Sequence, residues 1–581
     1  MFSMSCIGRR LSKIKVFRVR SQWRCISNRR EKLISYHHEL GETPLSPLTL
    51  GELVDIAADN CGDDIGFVVP YQNIRKTFFQ FKTDVDEVAC GLMGLGLQKN
   101  DRLAIWSQNC YEWMVTQYAA HKAGLLVVCV NPAYRAAELE YTLQKMQCKV
   151  LVAGESFKNQ SYYDILCELI PEIPNCKSGN IQSQKFKDLK HIIKISDKSF
   201  SGTYSFKDIK KNDGTDNKKL LNERMKTVQM DDPGCILFTS GTTGLPKGAV
   251  LTHFQMLNQG IISCKLLGFF EKKPIICVQV PLFHIFGLSG GTLLTLLCNG
   301  TAVYPSGHFH APSSLKSIEE ERCTMVYGTP TMFVDMLVHI SKGNYDLSSW
   351  KEVTIGAAPV HENLINALRD KCRVKIYNVY GSTEITGMVS MDNKMKFPSA
   401  GRLFEYTEIK IVDTDGRIVP INTKGEILCR SPFVCSGYWD EKEKTAETFD
   451  NARWYHTGDV GVLDENGCII ITGRIKDMVI RGGENIYPQE IENFLLSHPA
   501  ISEIYVVGVP DSRLGEELCA CIQLKQGHKL SEKDVKEFCK EKISYFKIPR
   551  YVLFFEDYPK TESGKIQKYI LQKKCINILN L

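Results

Sequence analysis

Between Arg102 and Met146 the chain changes character three times. An apolar run over 102–106 gives way to a helical period over 112–123, a continuous apolar run over 125–130, and a second helical period over 136–146. Strands separated by a helix of this length pair in parallel, because the connection must cross over the sheet rather than turn back in a hairpin. Runs apolar on both sides imply a sheet covered on both faces, so the pattern predicts an α/β class. A further helix is expected from Leu48 to Asp55. With 581 residues, 43% apolar and 24% charged, the chain has the usage of a folded protein with more than one core.

Further along, residues 205–220 are rich in Lys, Asp, Asn and Gly without clear period, and read as an exposed, mobile loop. An apolar strand over 235–238 runs into a Gly/Thr-rich turn, and a helical pattern follows Leu251, an order suited to holding phosphate at a helix start. Residues 405–472 hold short alternating strands separated by Asp-Gly and Asn-Gly turns, a β-rich part. After Arg474, signals at 488–497, 501–509, 518–524, 532–542 and 551–555 mark a smaller domain. Residues 274–315 contain no Lys, Arg, Asp or Glu. Pro281, His284, Gly287, Gly290, Gly291, Asn299 and Pro305 divide that run into pieces too short for a membrane span, so it reads as a buried layer.

The net charge is +6, but nine Lys and Arg and no acid lie in residues 1–30, which leaves the rest at −3. No phosphate-tracking surface, and so no nucleic-acid partner, is expected from that balance. Ile7, Leu11, Ile14 and Phe17 fall at helical spacing among the arginines and five serines, which is similar to a mitochondrial presequence. Most of the 22 cysteines stand singly in apolar runs and read as reduced core residues. Cys519 and Cys521 are spaced Cys-x-Cys in a strand pattern, which also reads as core rather than as a zinc or redox site.

The segment Thr239, Ser240, Gly241, Thr242, Thr243, Gly244, Leu245, Pro246, Lys247 offers hydroxyls, backbone N–H groups and one ammonium to phosphate oxygens. It does not satisfy the G-x-x-x-x-G-K-[ST] pattern. It resembles the phosphate loop of the adenylate-forming superfamily, which comprises acyl-CoA synthetases, luciferases and peptide-synthetase adenylation domains. Further segments resemble that superfamily in its own order: 355–359, 380–384, 455–459 with 473–474, and the 559–565 loop Pro-Lys-Thr-Glu-Ser-Gly-Lys.

The resemblance implies a role for each match. Gly356, Ala357, Ala358 and Pro359 would line adenine and Tyr380 would stack on it. Thr383 would meet the α-phosphate and Glu384 would hold Mg²⁺, a hard cation suited to carboxylate oxygen. Asp459 and Arg474 would hold the ribose. His284 would border the acyl pocket, with Phe283, Phe286 and Met332 as apolar lining. Lys476 would be the hinge, and Lys565 the catalytic lysine of adenylation. The loop around Gly482, Glu484 and Asn485 would swing toward a CoA tunnel. His308 and His310 read as structural.

The implied fold is a large N-terminal domain of layered α/β sheets with a β-barrel-like part, plus a small mobile C-terminal α+β domain. The expected division is 1–40 presequence and linker, 41–474 adenylation domain and 475–581 lid. The implied activity is an AMP-forming fatty acid:CoA ligase, medium-chain by its pattern, using ATP, Mg²⁺ and coenzyme A in the mitochondrial matrix, with no transmembrane segment. An aryl- or branched-acid CoA ligase and a silent nucleotide-binding relative stay open as alternatives.

Overall fold

The computed structural model describes residues 34–210, 215–239, 246–392, 399–482, 484–540, 542–562 and 564–581. The tail over 1–33 and loop residues Ser240, Gly241, Thr242, Thr243, Gly244 and Leu245 lie outside the described residues.

The alternation between 102 and 146 forms as its periods dictate. Strands Arg102–Trp106 and Leu126–Val130 pair in parallel, with helices Tyr111–Lys122 and Ala136–Met146 following them. They belong to a seven-stranded sheet, parallel except for its last strand, Lys247–Thr252. Because side chains alternate across a strand, Leu103, Ile105, Val127 and Cys129 face one core, while Ala104, Trp106, Val128 and Val130 face another with Leu139 and Leu143.

The first of these cores is shared with a second, fourteen-stranded sheet. Six parallel strands, 65–69, 301–303, 275–278, 325–328, 352–356 and 375–382, lie in its middle and at one side. Its inner face contributes Ile276, Val278, Met325 and Tyr327 to the shared core, and its outer face packs Cys277, Val326, Val353 and Ile355 under helices Ala311–Glu320, Pro330–Ile340 and Glu362–Cys372. Helix, sheet, helix, sheet and helix thus stack as layers. The β-rich stretch continues the same sheet through antiparallel strands and ends on Tyr36–Glu39, which pairs with Thr407–Val412. That edge strand falls inside the 1–40 stretch expected to be presequence and linker.

Past Arg474 a separate sheet is built from Val479–Arg481, Glu484–Ile486, Ile501–Asp511, Gly515–Leu524 and Tyr551–Phe554. Helices Pro488–Leu495 and Glu532–Cys539 cover one face and Lys568–Leu579 the other. This smaller unit covers the stretch expected to be the lid.

Three expectations need correction. The described residues of 205–220 are largely helical, not loop: Phe206–Lys210 and Thr215–Thr227 are helices, because Phe206, Ile209 and Leu221 reach the core beside helix Phe78–Gly94, and Lys210 pairs with buried Asp84. Strand Pro233–Thr239 is followed first by a strand, with Thr239 opposite Lys247 in an antiparallel pair. The helix expected after Leu251 forms at His253–Leu267, but strand Lys247–Thr252 separates it from the phosphate-like turn. The Gly290-Gly291 pair does not break the apolar run either: 285–298 is helical throughout, the glycines sitting in a π-type turn. Among the described residues no helix is long and apolar enough to cross a membrane.

Candidate functional site

The site grows where parallel strands end. Gly356 closes strand Glu352–Gly356 opposite Val379, and a Cβ there would lie 2.6 Å from the Val379 carbonyl oxygen. Glycine lets the two strands meet closely, and the chain turns off at Ala357 with φ +65° while the neighbouring strand continues into Tyr380. Ala358 is half-buried and Pro359 exposed.

On the antiparallel side, Asp459 and Arg474 are direct cross-strand partners. Arg474 Nε lies 2.8 Å from Asp459 Oδ1, and the Tyr380 hydroxyl donates to Asp459 Oδ2 at 2.8 Å. One buried carboxylate therefore ties the aromatic of one motif to the guanidinium of another. Asp459 holds Arg474 above its ordinary range, and burial together with Asp459 drives the Tyr380 phenol well up. The guanidinium side chain remains 51% exposed, so it faces open space and not the core.

Strand Lys375–Ser382 ends in a 3-10 turn, Thr383–Ile385, that buries Thr383 and Glu384. Glu384 Oε1 accepts from the Tyr438 hydroxyl at 2.9 Å. The Lys247 ammonium sits 5.0 Å from the centroid of that same Tyr438 ring, a cation–π distance. Tyr438 thus joins the end of the hairpin to Glu384. No sequence signal marked it, since an isolated aromatic has no motif of its own.

Lys565 lies in a loop of the smaller unit, after its last sheet strand Tyr551–Phe554. Its loop is closed by the Thr561 N–H donating to the Lys565 carbonyl at 2.7 Å and the Lys565 N–H donating to Thr561 Oγ1 at 3.0 Å. Burial, reinforced by the Arg474 guanidinium, pulls the Lys565 ammonium down to about 8, while Asp459 and Glu384 act the other way. The loop touches the large unit through Thr331 Oγ1, 3.4 Å from the Gly564 carbonyl, and through Lys158, 2.8 Å from Glu562. Thr331 and Lys158 were also invisible in the sequence, because docking contacts carry no spacing rule.

His284 caps helix Ile285–Leu288: its Nδ1 accepts the Phe286 N–H at 3.2 Å. That bond leaves the ring proton on Nε2. Burial, helped by Lys565, pushes His284 down to about 3, so the imidazole is neutral near pH 7. Phe286 and Met332 are buried and Phe283 packs partly against the same core. Lys476 lies in the turn Ile475–Asp477, between the last strand of the large sheet and the first strand of the lid, and burial followed by Arg474 lowers its pKa. Gly482 turns with φ +58°, and Glu484 and Asn485 start a lid strand. Among the described residues these three make no hydrogen bond or ion pair to the cluster around Asp459. His308 packs edge-on against Phe157, and His310 bonds Ser313 at 2.8 Å.

Residues 55–439 match the family described as AMP-binding enzyme, and 490–565 match the AMP-binding enzyme C-terminal domain. The chain belongs to the AMP-binding enzyme family. "Medium-chain acyl-CoA ligase ACSF2, mitochondrial" of Bos taurus is 42% identical over 548 residues, spanning 92% of this chain and 89% of that protein. Its namesake from Danio rerio is 40% identical over 555 residues, spanning 94% and 91%. Among solved structures, o-succinylbenzoate CoA synthetase (MenE) from Bacillus subtilis with its acyl-adenylate intermediate aligns at a TM-score of 0.72 and 25% identity, covering 91% of this chain and 99% of that one. The two family matches fall on either side of the large sheet's last strand, so the lid of this AMP-binding enzyme is its family's C-terminal domain.

Proposed function

We propose that this enzyme is an AMP-forming fatty acid:CoA ligase for medium-chain acids, acting in the mitochondrion. The observation that carries the reading is the buried Asp459 carboxylate that joins Tyr380 to Arg474 near buried Glu384, with the loop that bears Lys565 docked on Thr331. The names of the 40–42% identical relatives support the acid class and the compartment.

In the first half-reaction the fatty carboxylate oxygen attacks the α-phosphorus of ATP and pyrophosphate leaves. Asp459 accepts from the ribose hydroxyls and Arg474 donates beside it; Gly356, Ala357, Ala358, Pro359 and Tyr380 border the adenine. Thr239, Ser240, Gly241, Thr242, Thr243, Gly244, Leu245, Pro246 and Lys247 surround the β- and γ-phosphates, and Thr383 meets the α-phosphate. Lys565 donates to the oxygens where charge gathers, an electrostatic role. Glu384 fits a divalent cation: it is a buried carboxylate whose Oε1 is fixed by Tyr438, leaving Oε2 for a ligand. Mg²⁺ held there would neutralise the leaving pyrophosphate. Neutral His284 borders the acyl carboxylate without adding charge. In the second half-reaction the lid rotates about Lys476, and the coenzyme A sulfur attacks the acyl carbonyl, releasing AMP.

The test is pyrophosphate release by protein lacking residues 1–33, given ATP, Mg²⁺, coenzyme A and saturated acids from butyrate to stearate. Thioester and AMP peaking from octanoate to laurate support the reading. ATP binding without pyrophosphate for any acid defeats it. Import of a reporter fused to residues 1–40 into isolated mitochondria tests the compartment.

A further inference from the structure

Cys519 and Cys521 project from the same face of strand Gly515–Leu524, and helix Lys568–Leu579 lays Cys575 over them. The three sulfurs lie within 4.8 Å of one another, and Cys521 Sγ is 3.3 Å from Cys575 Sγ. All three residues are fully buried, among Val507, Val509 and Leu571.

We propose that this cluster is a thiol–disulfide exchange site, in which a low-molecular-weight disulfide of the glutathione type oxidises Cys575 and Cys521 to a bond that ties the helix after the Lys565 loop to the central strand of the lid. A metal fits less well. Among the described residues the cluster offers three thiols and no fourth His, Cys or carboxylate ligand, where zinc takes four, and thiolates around one cation would leave net negative charge in an apolar core. The disulfide is neutral. Cys519 and Cys521 do not bridge each other readily, because residues two apart on a strand have Cα atoms about 6.6 Å apart and parallel side chains.

Cys575 is the nucleophile. Hydrogen bonds from Cys519 and Cys521 hold its thiol below the ordinary range, and theirs are raised. The Cys575 thiolate attacks one sulfur of the glutathione disulfide, breaks its S–S bond and releases one glutathione thiolate. The Cys521 sulfur then attacks Cys575 in the mixed disulfide and displaces the second glutathione. The two protein thiol protons end on the two released glutathiones, so two electrons pass from protein to oxidant. Access requires only the helix to lift: it packs on a single sheet face, held by Lys568 to Glu492 at 2.7 Å and Gln572 to Gly508 at 2.8 Å, while Tyr569 and Ile578 on its far side are 60% and 55% exposed.

The helix starts three residues after Lys565, whose loop is closed by the Gln567 N–H on the Pro559 carbonyl at 2.8 Å. Fixing the helix therefore steadies the base of that loop, and the hinge at Lys476 stays free.

The full chain is equilibrated in graded ratios of oxidised to reduced glutathione, alkylated, digested and read by mass spectrometry. A linked peptide joining 521 to 575 is expected, with C519S retaining the link and C575S abolishing it. Hydrogen exchange over 569–576 should slow by about tenfold in oxidised wild type and stay unchanged in C575S. The facing pairs Cys264 with Cys298, Cys277 with Cys323 and Cys129 with Cys235 in the large unit are internal controls. No 521–575 link at any ratio, links at the control pairs to the same extent, or a metal ion retained on three reduced thiols overturns the proposal. None of these readouts depends on ligase activity, so their failure leaves the proposed reaction standing.

Discussion

Lys565 illustrates how burial sets chemistry at one residue. An ammonium drawn down to about 8 is mostly charged at pH 7 and loses its charge as pH rises through that value. The charged form is the one that donates to phosphate oxygens, so kcat/KM of adenylate formation should fall above pH about 8, the limb that reports the free enzyme. Lys565→Arg should keep its charge and show no such limb, even at lower rate. Lys565→Ala should lower adenylate formation by on the order of 10²- to 10³-fold, with ATP affinity by calorimetry little changed. Asp459→Asn keeps an acceptor for Tyr380 but removes the charge facing Arg474. Charge-assisted hydrogen bonds contribute about 1.5–3 kcal/mol each, so nucleotide affinity should weaken by about 10- to 100-fold, and an unchanged dissociation constant would exclude a ribose role for the pair.

Among the elements, the Lys565 loop depends on one glycine. Gly564 has φ +80°, and a Cβ there would lie 2.6 Å from Thr331 Oγ1. Gly564→Ala is thus strained in the backbone and pushed off its docking surface. Pyrophosphate release should drop by about tenfold or more at a strain of roughly 1–2 kcal/mol, while thioester formation from supplied acyl-adenylate, measured by product chromatography, should fall far less. If both half-reactions fall together, the loop does not dock for adenylation alone. Helix Phe206–Lys210 makes a second case. Burial opposes ionisation of Asp84, but hydrogen bonds from Lys210, Lys76 and Tyr111 outweigh it and lower its pKa. A lowered carboxylate stabilises the fold above its unfolded pKa, and that stability is lost as pH falls through the folded value. Asp84→Ala should cost about 3–5 kcal/mol in denaturant unfolding and flatten the acid limb of stability.

At the scale of the whole molecule, the smaller unit and the large unit meet through partly exposed ion pairs, Lys158–Glu562 at 54% and 26% exposure and Lys424–Glu490 at 44% and 24%. Exposed pairs contribute roughly 0–1 kcal/mol, so Lys158→Ala should change the ratio of the two half-reaction rates by less than about fivefold, and added salt should erase the difference. A much larger effect would make this contact a latch and not a weak stop. A lid held by weak contacts is suited to an enzyme that must release it once per turnover.

The sequence by itself determined the βαβα order over 102–146 and the chain order of the motifs, because helix and strand periods and turn residues are local properties. It also carried several strands of 405–472 and the smaller unit's elements at 488–497, 501–509, 518–524, 532–542 and 551–555 within a few residues at their ends, but not strand Tyr455–Leu463 or helix Lys568–Leu579. Tertiary structure decided the rest. The phosphate-like loop joins two strands because Lys247–Thr252 finds a pairing edge on Pro233–Thr239, a choice that no window of residues contains. Phe206–Lys210 and Thr215–Thr227, in the Lys-rich segment, are helical because a few apolar side chains and one buried carboxylate lie within reach, outweighing weak local propensity. Tyr438 joins Lys247 to Glu384, and Cys575 joins Cys519 and Cys521, only after distant parts of the chain pack together. Periodicity says which face of an element is buried; what that face meets depends on pairing and packing summed over the whole fold.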